Sequence, residues 1–437
     1  MPRCIDGFME RVDQRGFVNQ RRADATWLSG RDAADLLGVK RETLYAYVSR
    51  GLVRSERAHG KAGHRYRRDD LLRLKARSDA RAGHGAVAAG ALRWGEPVLP
   101  SAVSTIDARG PIYRGHRATL LAAGHPFESV AELLWSGTLP VARPAWSADG
   151  LGVRTSALAA LLPEDARPLT TLSLAVPALA AGDRSSVGMS TAAARTLILR
   201  MAALLGFAQG GPVRARAAAQ AGGVAEAALL GFGAEPTEES VRAVNQLLVL
   251  LADHELNVST FTVRVAASAG ADLYACVCAG LASLSGTQHG GVCDRVEEVV
   301  AAIGRARSVR AVIAACERQG EEIPGFGHPL YPAADPRAEA LLASAMTLGK
   351  RNERVSVLCE LVKAMRSLRR EPPSCDVGLV ALASALRLPP GSATALFALA
   401  RTAGWIAHAM EQRAAGFLLR PRARYVGEPA ASDSPET

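Results

Sequence analysis

Gly286-Thr287-Gln288-His289-Gly290-Gly291, Pro324-Gly325-Phe326-Gly327-His328-Pro329 and Ser374-Cys375-Asp376 set two histidines and a carboxylate in fixed order along the second half of the chain. Glycines beside both histidines let the backbone approach a ligand and reach dihedrals closed to other residues, a setting that a core-filling histidine does not need. Two imidazoles and one carboxylate make a general acid/base set. The sequence around these loops reads as helix after helix. Apolar residues recur at three- and four-residue spacing in Ser129 to Trp135, Ala192 to Leu205, Val241 to Asp253, Asp272 to Leu284, Pro336 to Leu348, Val355 to Met365 and Thr394 to Met410. Alternating strand patterns are scarce, and abundant alanine with only 5% aromatics suits closely packed helices. The expected class is all-α, with Val103 to Gly110 as a short hairpin arm.

The chain has 437 residues, 49% of them hydrophobic, which is ample for a large core. Its apolar windows, such as Leu247 to Ala252 and Val377 to Leu386, are broken by Asp, His, Arg or Gly before they reach the roughly 20 residues that span a bilayer. No membrane span is expected. The N-terminus carries acids and lacks an apolar signal core, so the expected location is the cytoplasm. Seven cysteines without CxxC or Cys/His metal spacing are read as reduced, mostly buried thiols, and no metal site is expected.

Charge is unevenly spread. Met1 to Gly85 holds 19 Lys+Arg against 11 Asp+Glu, which is +8 of the net +10. Such an excess is usually a solvated surface, but it is also the footprint of nucleic-acid-binding modules. Residues 1–25 are polar and unpatterned and read as a tail. Beyond them, Ser29 suits an N-cap for a short helix ended by Gly38. A second helix, Lys40 to Ser49, turns Leu44 and Val48 inward and Lys40, Arg41, Thr43, Tyr45 and Tyr47 largely outward. The Gly- and basic-rich stretch Arg54 to Arg65 suits a hairpin wing. Residues 26–80 thus form a helix-turn-helix module, 81–97 a linker, 98–427 the main domain and 428–437 a second tail.

This module resembles the winged helix-turn-helix of MerR-type regulators. The resemblance makes Lys40, Arg41, Thr43 and Tyr45 candidates for the DNA groove, and Lys61, His64 and Arg65 candidates for phosphate. Helix-turn-helix units also serve as protein-contact domains, so DNA is one candidate partner of two.

The main domain resembles the citrate synthases. Ile106-Asp107, Tyr113-Arg114-Gly115-His116, Glu132 to Gly137, Asp253-His254-Glu255-Leu256-Asn257-Val258-Ser259-Thr260, the two histidine loops, Asp335-Pro336-Arg337, Arg401-Thr402-Ala403-Gly404-Trp405 and Arg420-Pro421 follow that family's order. The resemblance implies a large helical domain with a smaller one, and condensation of acetyl-CoA or propionyl-CoA with oxaloacetate and water, without cofactor or metal. Asp376 would be the base on the acetyl methyl group. His289 would hydrogen-bond the thioester carbonyl, and His328 would polarise and protonate the oxaloacetate carbonyl. His254, Arg337, Arg401 and Arg420 would hold the dicarboxylate, guanidinium forks being well matched to carboxylates. Arg420 would reach into the partner's site of a homodimer. Ile323, Pro324, Gly325, Phe326 and Gly327 would line the acyl-CoA site, with Lys350, Arg351 and Arg354 as candidates for its phosphates on charge alone.

Blander readings stand beside these. A single histidine in a helical protein is more often a satisfied polar group, and His116, His125 and His408, lacking Gly-flanked settings, are assigned to surface or packing. Asp335 is a candidate cap for the helix after Pro336. The motifs also depart from the family's common forms, with Ser374-Cys375 before Asp376 and Thr287-Gln288 before His289, which leaves room for altered acyl preference. Two functions follow from the residues: an acyl-CoA condensing enzyme, or a DNA-binding regulator that uses the pocket to sense a metabolite.

Overall fold

The computed structural model describes residues 27–57, 64–68, 70–72, 74–75, 99–183, 189–368, 370–423 and 427. Lys61, the linker 81–97 and both tails lie outside them. The chain divides into two compact units at Pro100/Ser101.

In the first unit, strand Trp27–Ser29 precedes helices Gly30–Leu37 and Arg41–Ser49, and a hairpin of Ser55–Arg57 with His64–Arg67 follows. Ser29 caps the first helix by accepting from Asp32 N, and Gly38 closes it in the left-handed region at φ 65°. The wing carries a third strand that the sequence pattern did not reveal: Trp27–Ser29 pairs antiparallel with His64–Arg67. Leu28, Ala33, Ala34, Leu44, Val53, Tyr66 and Leu71 form its small core. Lys40, Arg41 and Tyr45 are exposed, and Thr43 is half-buried. Arg65, also exposed, faces Glu56 across the hairpin at 3.5 Å.

The second unit is helical apart from a small meander of Ser104–Asp107, Gly110–Tyr113 and His116–Arg117, in which the expected arm forms. Every helix expected from periodicity is present, within a few residues at each end. The helix Ser392–Ala415 runs through the core, buried almost continuously from Ser392 to Ala409. Its Gly404 permits close contact with the chain beside His254: its N–H donates to Ala252 O at 3.0 Å, and a Cβ there would come within 2.2 Å of Asp253 Oδ1. A smaller apolar cluster, Ile303, Val309, Ile313, Ile323, Leu361 and Met365, joins the helices Val292–Ala306, Val309–Gln319 and Glu353–Ser367.

One boundary moves. Periodicity carries a helix to Asp253, but it ends at Leu251. The single proton of the buried Tyr113 hydroxyl lies between Leu250 O and Asp253 O, at 3.1 and 3.0 Å, so it serves one of two carbonyls that another turn would have used. The chain then bends through Glu255, a non-glycine residue at φ 54°.

Candidate active site

The helix break brings His254 to a cluster of rings. His254 Nε2 lies 2.9 Å from the Tyr331 hydroxyl. The His254 and His328 rings meet edge to face at 5.4 Å, and Tyr331 lies 4.9 Å from His328. Tyr331 is almost fully buried. The sequence reading did not single it out, although it stands three residues after His328 in the same loop. The Leu330 N–H donates to His328 Nδ1 at 3.2 Å, so a neutral ring carries its proton on Nε2. Burial, with the Arg337 charge, pushes His328 down to about 4.

His289 sits on the second loop. Its Nε2 lies 2.8 Å from Ser259 Oγ, which also accepts from Trp405 Nε1 at 3.1 Å and lies 2.8 Å from Asn257 Oδ1. Because the indole N–H can only donate, the serine proton turns to Asn257 or to His289; in the second case His289 keeps its proton on Nδ1. Burial and then the Arg401 charge bring His289 down to about 4. Both imidazoles are therefore neutral near pH 7, as donors to a developing oxyanion must be if they are to retain their protons.

Asp376 lies in the first turn of the helix Cys375–Ala385. Ser374 caps that helix and donates its hydroxyl to Asp376 Oδ2 at 2.7 Å. Burial lifts the Asp376 carboxyl above its ordinary range, opposed by hydrogen bonds from Ser374 and Cys293 and by the Arg337 charge. A raised carboxyl is a stronger base once ionised.

The loop with His328 is laced to the segment before Asp376. Gly327 N donates to Pro372 O and Ser374 N to Gly325 O, each at 2.8 Å. Gly325 has φ 81°, and a Cβ there would lie 2.6 Å from Val296 Cγ2 and 2.8 Å from Val377 Cγ2, so only glycine fits. Ile323 is buried, and Pro324, Phe326 and Gly327 are half-buried along the same loop.

The arginines separate into three kinds. Arg337 is buried and forked onto Asp335. Asp335 caps its helix as expected by accepting from Arg337 N, and it also accepts from Cys375 N at 3.0 Å. Arg401 is buried over the Phe397 ring, with Nε donating to Leu251 O at 2.9 Å, while Nη1 and Nη2 have no hydrogen-bond partner among the described residues. Phe397 also meets the His289 ring at 5.8 Å. Arg420 is exposed. Lys350, Arg351 and Arg354 are likewise exposed. A cavity of ≈ 370 Å³ touches Asp335 and is lined by Arg366 and Arg370 among others, cations that the sequence reading passed over.

His408, assigned to packing or surface, is fully buried 3.3 Å from Asp253 Oδ2. The same carboxylate takes the Ser104 hydroxyl in a short hydrogen bond and the Glu255 N–H at 3.2 Å. Among the described residues no His/Cys/Asp/Glu group suits a metal, and no helix is long and apolar enough to cross a membrane.

This arrangement has known counterparts. The family model described as citrate synthase, C-terminal domain, matches residues 91–422, and a helix-turn-helix domain model matches 27–79. A citrate synthase of Mycolicibacterium smegmatis is 31% identical over 336 residues, 73% of this chain and 90% of that protein. A 2-methylcitrate synthase of Mycobacterium tuberculosis is 30% identical over 72% of this chain and 84% of its own length. Similarity to the putative citrate synthase 2 of the same organism is higher, at 38%, but spans only 53% of that protein, about half its length. Among solved structures, the citrate synthase of Thermotoga maritima superposes with a TM-score of 0.66 at 27% identity, covering 76% of this chain and 94% of that one. The Thermoplasma acidophilum citrate synthase, solved in a ternary complex with carboxymethyl coenzyme A and oxaloacetate, gives a TM-score of 0.66 at 25% identity over 78% of this chain and 96% of that one. With a family model covering most of its length and a relative 31% identical over 90% of that protein, the chain belongs to the citrate synthase family and carries a helix-turn-helix domain ahead of it.

Proposed function

We propose that this chain condenses a short acyl-CoA, acetyl or propionyl, with oxaloacetate and water, giving citrate or 2-methylcitrate and CoA. The observation that carries the reading is Arg401: a buried guanidinium with two nitrogens unpartnered among the described residues, set among neutral histidines, calls for an anionic ligand. Arg337 and His254 complete the dicarboxylate site. Asp376 takes a proton from the acyl carbon next to the thioester carbonyl while His289 donates to the thioester oxygen. The resulting enol carbon attacks the oxaloacetate ketone, whose oxygen takes the proton from His328. Water then cleaves the thioester and releases the CoA thiol. The loop 323–327 takes the acyl-CoA, and a homodimer brings Arg420 to the partner's site. The test is acyl-CoA consumption with oxaloacetate, followed by thioester absorbance, with Asp376→Ala as control. Turnover lost in that variant supports the reading; turnover that survives it overturns the role of Asp376.

A second reading rests on the exposed face of the helix Arg41–Ser49. Lys40, Arg41 and Tyr45, with Thr43 beside them, fit the MerR-like pattern of DNA contact, and Arg65 with Lys61 would meet phosphate. In this reading oxaloacetate occupancy changes DNA affinity. Full-length protein that binds no duplex at low salt, with or without oxaloacetate, would remove it.

A further inference from the structure

Asp376 is held from both sides. Ser374 donates to Oδ2 from the turn that precedes it, and the Cys293 thiol lies 3.4 Å from Oδ1, a normal length for S–H···O. Cys293 is fully buried and belongs to the helix Val292–Ala306, which starts directly after the His289 loop. The thiol is therefore a cross-brace between two segments, one that follows directly on the His289 loop and the other opening on Asp376.

A thiol has a particular value here. A carboxylate that must remove a proton from a weak carbon acid loses basicity with each strong donor it accepts, yet without donors it is free to rotate out of line. S–H is a weak donor, so it orients the oxygen at little loss of basicity. Burial pushes the Cys293 thiol well above its ordinary range, so it stays protonated and serves as a donor, not as a nucleophile. We propose that Cys293 is a positioning residue for Asp376, fixing its Oδ1 with a deliberately weak hydrogen bond and tying its placement to the His289 loop. This inference rests on the reading of Asp376 as the base.

The other charged groups that act on Asp376 are Arg337, in the helix Pro336–Leu348, and Asp335, its N-cap, which oppose each other in sign. Asp294 and Cys375 act on Cys293 itself. None of these is altered by exchanging the Cys293 side chain, so two substitutions isolate the hydrogen bond. Cys293→Ser replaces the weak donor with a stronger one, and Cys293→Ala removes it.

The experiment measures the acid limb of the pH–kcat profile and, independently of turnover, the pH titration of the Asp376 carboxyl by infrared difference spectroscopy against Asp376→Asn. Cys293→Ser moves both midpoints to lower pH and Cys293→Ala moves both to higher pH, each by about half a pH unit. Cys293→Ser also lowers plateau kcat, because the base is weaker. Midpoints unchanged in both variants, with only thermal stability altered, would reduce Cys293 to a packing residue. An infrared midpoint that moves as described while no variant, including Asp376→Ala, affects turnover would leave the hydrogen bond standing and overturn the catalytic assignment of Asp376 instead.

Discussion

Asp335 grips the Arg337 guanidinium at two points, Nε to Oδ1 at 3.0 Å and Nη2 to Oδ2 at 2.9 Å. Its Oδ2 also takes the Cys375 N–H, one residue from Asp376, so a single buried carboxylate ties the arginine proposed to bind the dicarboxylate to the turn that carries the proposed base. Burial alone would raise the Asp335 carboxyl, but Arg337's charge and hydrogen bonds outweigh it and hold the group below its usual range.

Removing that carboxylate strands a buried cation. Asp335→Ala is expected to destabilise the fold by about 3–5 kcal/mol in urea unfolding, as for other broken buried pairs. Asp335→Asn keeps part of the hydrogen bonding and is expected to fold, with a higher KM for oxaloacetate and a lower kcat. A change in KM alone would mean that the link to Cys375 does not position Asp376.

Arg401 is expected to behave in the opposite way. Its Nη1 and Nη2 lack hydrogen-bond partners among the described residues, and burial lowers its affinity for its proton. Arg401→Met removes this unmet charge but also the Nε bond to Leu251 O, for a net gain of about 1 kcal/mol in ligand-free stability. The same variant should lose oxaloacetate affinity roughly 100-fold or more, because two charge-assisted hydrogen bonds go with it. Calorimetric titration and thermal unfolding read the two effects separately. A variant destabilised without ligand would show that Arg401 serves the fold.

What could be read in advance follows the range of the interactions. Helices were legible because their apolar spacing is local, and the first short helix because Ser29 and Gly38 punctuate its ends. Motif order brought His254, His289, His328, Asp376, Arg337 and Arg401 forward, and the fold gathers them from separate elements. The contacts that tune them were not legible. Cys293 meets Asp376 across 83 residues and Ser104 meets Asp253 across 149, and neither serine nor cysteine advertises a distant partner in sequence. Strand Trp27–Ser29 is three residues long, too short for alternation to register.

Acid should loosen the site through its histidines. His289 and His328 fall to about 4 in the fold, and His254 is also held well below its ordinary value by burial and the neighbouring arginines. Unfolded histidines titrate near 6.5, so between about pH 6.5 and 4 the unfolded chain binds more protons and stability falls as pH falls. Above that window the three groups contribute no slope. The urea midpoint of the native protein should therefore drop from pH 7 to pH 5, and less so in a His289→Gln, His328→Gln double variant. Equal drops in the two proteins would place the acid sensitivity elsewhere.

Ser104 is expected to act on His254 without touching it. Its hydroxyl donates to Asp253 Oδ2, and its Oγ accepts the Glu255 N–H at 3.1 Å, so it fixes the residues on both sides of His254. Glu255 at φ 54° is held in a conformation that a non-glycine residue adopts only when neighbours demand it. Ser104→Ala leaves Asp253 with His408 and the Glu255 N–H but lets the bend relax. The expected cost is about 1–3 kcal/mol, the penalty of leaving a buried polar group short of a partner. In kinetics, KM for oxaloacetate should rise while KM for the acyl-CoA holds, since the acyl-CoA loop is braced through Gly325 and Ser374 instead. Ser104→Thr retains the hydroxyl and should restore most of the oxaloacetate KM; equal KM defects in the two variants would mean that packing, not the hydrogen bond, matters at this position.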